Sequence, residues 1–123
     1  MGQSLHQIAV VVEDDVLQRE MIAVLLEESE FDVIQCGDAE TALLAVKMRH
    51  PSFLVTDVNL NGKMDGIELA HLAREQDPDM RVQDPDMRVV VISGQEPARG
   101  LPDGAKFYAK PVHPMTLLRE AAH

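Results

Sequence analysis

Apolar residues in this chain fall into short unbroken runs separated by longer stretches with helical spacing. The clearest run is Phe53-Leu54-Val55-Thr56-Asp57, three apolar residues and a threonine that stop on an acid. A strand buried on both faces reads as such a continuous run, which is typical of parallel sheets. Gln7-Ile8-Ala9-Val10-Val11-Val12 is a second run of this kind and ends on Glu13-Asp14-Asp15. Phe31–Cys36 is shorter and more polar, as suits an edge. Arg88–Ile92 runs into Ser93-Gly94, and Lys106–Ala109 runs into Lys110-Pro111. These stretches predict five strands.

The intervening segments predict helices. From Val16, apolar positions recur at Met21-Ile22 and Val24-Leu25-Leu26 up to about Ser29, with Asp15 placed to cap the start. Asp38 caps the next helix, Glu40 suits its positive end, and Ala42, Leu43, Val46 and Met48 supply an apolar face before Pro51. After the turn-rich stretch 59–66, residues Ile67, Leu69-Ala70 and Leu72-Ala73 mark a third helix that stops before Pro78. Pro114 at a first helical position opens the last, with Met115, Leu117-Leu118 and Ala121 on its apolar side. Alternating strands and helices predict a parallel sheet covered on both faces. The expectation is a flavodoxin-like, doubly wound five-stranded α/β fold of order 2-1-3-4-5, one domain over residues 1–123.

Two stretches break the pattern. Gln76–Val82 reads QDPDMRV, and Gln83–Val89 repeats it. Only the second copy runs on into Val90, so it should supply the strand, with the first looped out. Between Ser93-Gly94 and Ala105 stand only residues 95–104, with Pro97, Gly100, Pro102 and Gly104 among them. A mean helix alone takes ~11 residues. The helix expected between the fourth and fifth strands is therefore predicted to be absent or a single turn.

Composition narrows the chemistry. The chain of 123 residues carries a net charge of −10, which argues against direct binding of nucleic acid phosphates. Cys36 is the single cysteine, so an intrachain disulfide is excluded and a reducing, cytoplasmic setting is expected. The run Ile8–Val12 is too short to span a membrane or form a signal-peptide core. Aromatic residues are scarce, so the core must be largely aliphatic.

In open parallel sheets, ligands sit beyond the carboxyl ends of the strands. There the pattern gathers Glu13 and Asp14, Asp57, Ser93 and Lys110. Clustered carboxylates repel one another and keep their charge best beside a cation, and hard oxygen ligands with room for water suit Mg²⁺.

The ordered set Val11-Val12-Glu13-Asp14, Asp57, Ser93-Gly94 and Lys110-Pro111 resembles the receiver domain of two-component response regulators. The resemblance covers nearly the whole chain. It implies Asp57 as phosphoacceptor, charged by a sensor histidine kinase or a phosphotransfer protein. Asp14, Asp57 and the carbonyl of Asn59 would ligate Mg²⁺, with Glu13 acting through water. Ser93, Lys110 and Phe107 would contact the phosphoryl group or switch with it, Lys110-Pro111 would be a cis peptide, and Asn59 and Gln95 would tune dephosphorylation. Tyr108 competes with Phe107 for the inward ring position. The output partner is unspecified. No enzymatic turnover is expected beyond self-phosphorylation and slow self-dephosphorylation.

Two other readings compete. One is a receiver-shaped interaction module that is never phosphorylated. The other, weaker, is a phosphatase of the haloacid-dehalogenase type; it expects a second Asp two residues after the first, where this chain has Asn59, and the chain has no room for a cap domain.

Overall fold

The computed structural model describes residues 7–75, 87–97 and 99–122. In chain order the elements are β1 (Ile8–Val12), α1 (Val16–Glu28), β2 (Asp32–Cys36), α2 (Ala39–Arg49), β3 (Phe53–Asp57), α3 (Gly66–Glu75), β4 (Arg88–Ser93), β5 (Lys106–Ala109) and α4 (Pro114–Ala121). The strands form one parallel sheet in the order β2-β1-β3-β4-β5. This is the predicted doubly wound sheet, with β2 at an edge.

The inner strands are apolar because both of their faces are covered. Val10, Val12, Leu54, Val89 and Val91 point to one side, where Ala42 and Val46 of α2 and Leu69, Ala70 and Ala73 of α3 close over them. Ala9, Val11, Phe53, Val55, Val90 and Ile92 point to the other, against Leu26 of α1 and Leu117 and Ala121 of α4. Burying such side chains is the main favourable term in folding. Phe107 and Tyr108 part company across β5: Phe107 packs on the α2–α3 side, Tyr108 on the α1–α4 side.

Helix starts follow their caps. Asp15 accepts the N–H of Gln18 at the start of α1, and Asp38 that of Thr41 at the start of α2. His113 caps α4 through a ring nitrogen that accepts the N–H of Met115. The helix faces differ in part from expectation. Val16, Met21 and Val24 of α1, Met48 of α2 and Met115 of α4 are exposed. A different residue is buried instead, Glu120 of α4, whose carboxylate takes hydrogen bonds from Tyr108 and Lys106.

Met87, Arg88 and Val89 of the second QDPDMRV copy lead into β4, as expected. The looping-out of the first copy lies outside the described residues. No described residue between β4 and β5 is helical, as the shortage of residues predicted. This connection lies against α3 instead. Arg99 pairs with Asp65, His71 donates through Nε2 to the Gly100 carbonyl at 2.9 Å, and Gly104 (φ +83°) sits over the Arg74 guanidinium.

Candidate phosphoacceptor site

Strand register builds the site. Val12 pairs with Thr56, so Glu13 and Asp57 leave β1 and β3 side by side. Asp57 pairs with Ile92, and Ser93 pairs with Ala109, which places Lys110 one step beyond. The Lys110 N–H then donates to the Ser93 carbonyl at 2.9 Å, and the Lys110-Pro111 peptide is cis.

From there the Lys110 ammonium reaches back across the sheet. It donates to Asp57 Oδ2 at 2.7 Å, to Gln18 Oε1 at 2.9 Å and to Glu13 Oε1 at 3.0 Å. Glu13 is 2 % exposed and Asp57 7 %, so two acids are held away from water around one base. Burial pushes the Glu13 carboxyl above its ordinary value. The Asp57 charge adds to this, while the Asp15 N–H and Lys110 oppose it. Burial alone would lower Lys110, but its hydrogen bonds to Asp57 and Glu13, with their charges, outweigh that and raise it.

The remaining predicted residues surround this centre. The Asn59 N–H donates to Asp57 Oδ1 at 3.2 Å. Ser93 is 2 % exposed, and its hydroxyl oxygen accepts the Gln95 N–H at 3.1 Å, so its own proton is free to turn elsewhere. Gln95 and the Asn59 side chain face solvent. Phe107 packs against the α2–α3 core and is not brought to Asp57 by any described contact. Asp14 is half-buried and makes no hydrogen bond or ion pair with the described residues.

Sequence reasoning missed three supports. Gln18 holds Lys110. Arg19 donates to the Glu13 carbonyl at 3.0 Å, pinning the turn that carries the acids. Gly66 lies so close to β3 that a Cβ there would stand 1.9 Å from the Asp57 carbonyl oxygen. Polar residues in a first helical turn ordinarily read as solvated surface, and this glycine reads as a turn. The Gly66 signal was the turn-rich loop itself; the other two carried none.

The donor set can be tested against Mg²⁺. Among the described residues, no three acids, histidines or cysteines form a ready metal cage. Mg²⁺ does not require one, since it keeps several waters and is held by one or two carboxylates. Three acids against one lysine leave the centre with surplus negative charge. Both Glu13 oxygens already accept hydrogen bonds, from Lys110 and from the Asp15 N–H at 3.0 Å, as do both Asp57 oxygens, from Lys110 and the Asn59 N–H. A carboxylate oxygen has a second lone pair, so Asp14, Asp57 and the Asn59 carbonyl are hard-oxygen donors of the kind Mg²⁺ takes.

Comparison with known proteins gives the family. The response regulator receiver domain family matches residues 9–121, and the chain belongs to that family, the receivers of two-component systems. The chain is 31 % identical over 110 residues to the response regulator receiver protein CpdR of Brucella abortus, covering 89 % of each. It is 30 % identical over 118 residues to the DNA-binding response regulator MtrA of Mycobacterium tuberculosis, covering 94 % of this chain but 49 % of MtrA. It thus spans about half the length of that relative. The receiver domain of sensor histidine kinase PA1611 from Pseudomonas aeruginosa, solved with a magnesium ion in its active-site cleft, superposes with a TM-score of 0.76 at 18 % identity over 95 % of each chain. At that identity the likeness shows the fold. No helix among the described residues is long and apolar enough to cross a membrane.

Proposed function

We propose that this receiver takes up a phosphoryl group on Asp57 from the phosphohistidine of a sensor histidine kinase or phosphotransfer protein, or from a small acyl phosphate. The observation that carries this reading is the Asp57 carboxylate at the end of β3, shielded from water and held at 2.7 Å by Lys110. In the transfer an Asp57 oxygen bonds to phosphorus while the bond from phosphorus to the donor's nitrogen or oxygen breaks, and the donor leaves with that electron pair.

Lys110 stands where negative charge collects on the incoming group, and such preorganised charge is the main catalytic resource in phosphoryl transfer. Asp14, Asp57 and the Asn59 carbonyl would hold Mg²⁺, which would supply further neutralisation of phosphoryl oxygens. Glu13 contributes through water and keeps Lys110 turned inward. The acyl phosphate carries about −2 charge when fully ionised, where the Asp57 carboxylate carried −1, so the site gains about one negative charge and new acceptor oxygens. Ser93 moves toward the new group and gives its free hydroxyl proton to a phosphoryl oxygen as a hydrogen bond, and Phe107 moves into the volume Ser93 leaves. Asn59 and Gln95 flank the approach of the hydrolytic water and tune the lifetime. The protein acts as a switch, with only its own phosphorylation and slow dephosphorylation as chemistry. The high acidity favours a protein output partner over nucleic acid contacted by this chain, and a cytoplasmic setting fits the lone buried cysteine.

The test is intact-mass spectrometry after incubation with acetyl phosphate and Mg²⁺. The wild type should gain one phosphoryl group, and Asp57→Asn should lose more than about 95 % of that gain, because an amide is far too weak a nucleophile. An equal adduct in both proteins defeats the assignment.

A further inference from the structure

The first turn of α1 holds a contact that helix capping alone does not explain. Asp15 is the N-cap and Gln18 stands three residues on, the spacing of a capping box. In that motif the side chain at the later position reaches back to the N–H of the cap residue. Here the Asp15 N–H is already taken, donating to Glu13 Oε2 at 3.0 Å. Glu13 completes the cap in place of Gln18, and the Gln18 side chain is released. It extends to Lys110, whose ammonium donates to Gln18 Oε1 at 2.9 Å.

An ammonium has three N–H donors and no acceptor. Lys110 spends all three, on Asp57, Glu13 and Gln18. The two carboxylates draw it with charge and lie at neighbouring strand ends. Gln18 is neutral and comes from a different element, so it constrains the direction of the ammonium without adding repulsion toward an anionic phosphoryl group. We infer that Gln18 is a positioning residue that aims Lys110 at the group carried by Asp57. This inference rests on the phosphoacceptor reading above.

Gln18 is exposed and on a helix, so Gln18→Leu keeps helix propensity while removing the acceptor. With acetyl phosphate and Mg²⁺, Gln18→Leu should gain its phosphoryl group about three- to tenfold more slowly, the scale of one partly exposed hydrogen bond. In a Lys110→Met background the same change should alter the rate by less than about twofold, because a residue acting only through Lys110 has nothing left to act on. Nitrogen-edited NMR of the Lys110 ammonium supplies a readout independent of chemistry. Its signal should be sharp in the wild type and in Gln18→Glu, which keeps an acceptor, and broadened by exchange in Gln18→Leu. Equal slowing with and without Lys110, no slowing at all, or an unchanged ammonium signal in Gln18→Leu overturns the role. A wild type that gains no phosphoryl group overturns the phosphoacceptor reading, and this role with it; a wild type that gains one while Gln18→Leu matches it removes Gln18 alone.

Discussion

β3 and β4 lie side by side, and the chain leaves each of them in a different way. Beyond Asp57 it is held by its own backbone. The Val58 N–H donates to Ile92, the Gly66 N–H donates to Val58, and the N–H groups of Lys63 and Met64 both donate to the Glu40 carboxylate at the start of α2. Beyond Ser93 the described residues of the connection to β5 are held by fewer backbone bonds, with the Ala105 N–H donating to Pro102, Leu101 and Ala105 resting on the core, and the Arg99–Asp65 pair and the His71 contact to Gly100 exposed. Backbone hydrogen bonds and close backbone approach tolerate little change. Exposed ion pairs contribute little and are readily replaced. The first exit carries the acid that the proposed chemistry needs, and there the geometry is built to tenths of an ångström. The second has no helix among its described residues, and β4 and β5 still pair in register.

Substitutions can sharpen or break that contrast. The largest effect is expected at Gly66. Gly66→Ala drives a methyl group into the Asp57 carbonyl, and neither backbone can yield cheaply, so urea unfolding should show a loss of about 3 kcal/mol or more. Gly100→Ala is the matched change in the other connection, where a Cβ would meet nothing within 4 Å. It should shift stability by less than about 0.5 kcal/mol. Comparable losses in the two variants would erase the distinction.

A middling effect, of opposite sign, is expected from Glu13→Gln. Because burial raises the Glu13 carboxyl above its ordinary value of 4.5, the folded chain holds a proton through a pH range where the unfolded chain has lost it. Stability then falls as pH rises through that range and stays lower above it. Glu13→Gln removes this fall, so relative to the wild type it should gain stability as pH rises from about 4 to neutral, read by urea unfolding at each pH. The gain should vanish below about pH 4, where Glu13 is protonated in both states. A gain that persists in acid would place its cause elsewhere. A small cost, between about 0 and 1 kcal/mol and less in high salt, is expected from Arg99→Ala, because its ion pair is exposed.

The same contrast separates what could be read in advance from what could not. Phe53–Asp57 and Lys106–Ala109 announced their own bounds, since apolar runs stopped by an acid or by Lys-Pro leave no other reading. Their order then brought Glu13, Asp57 and Lys110 together, and the structure has them in contact. Side chains whose role depends on a neighbour's choice stayed hidden. Nothing in the stretch Asp15–Gln18 says that Glu13 will take over the cap. Glu120 on the polar side of a helical pattern gives no sign that Tyr108 and Lys106 will bury it. Met48 and Met115 looked like core for the opposite reason: helical spacing marks a candidate face but not the width of sheet available to cover it.

The Glu120 carboxylate has a mechanical consequence. β5 is only four residues long, and it is anchored twice. Lys110 ties its far end to Asp57 and Glu13, while Lys106 and Tyr108 tether it to α4 through Glu120. Arg88, at the beginning of β4, donates to the Glu120 carbonyl as well. Tied at both ends, the strand gives Lys110 a hydrogen-bonded route to α4, so a shift of the lysine along β5 would be felt at Glu120.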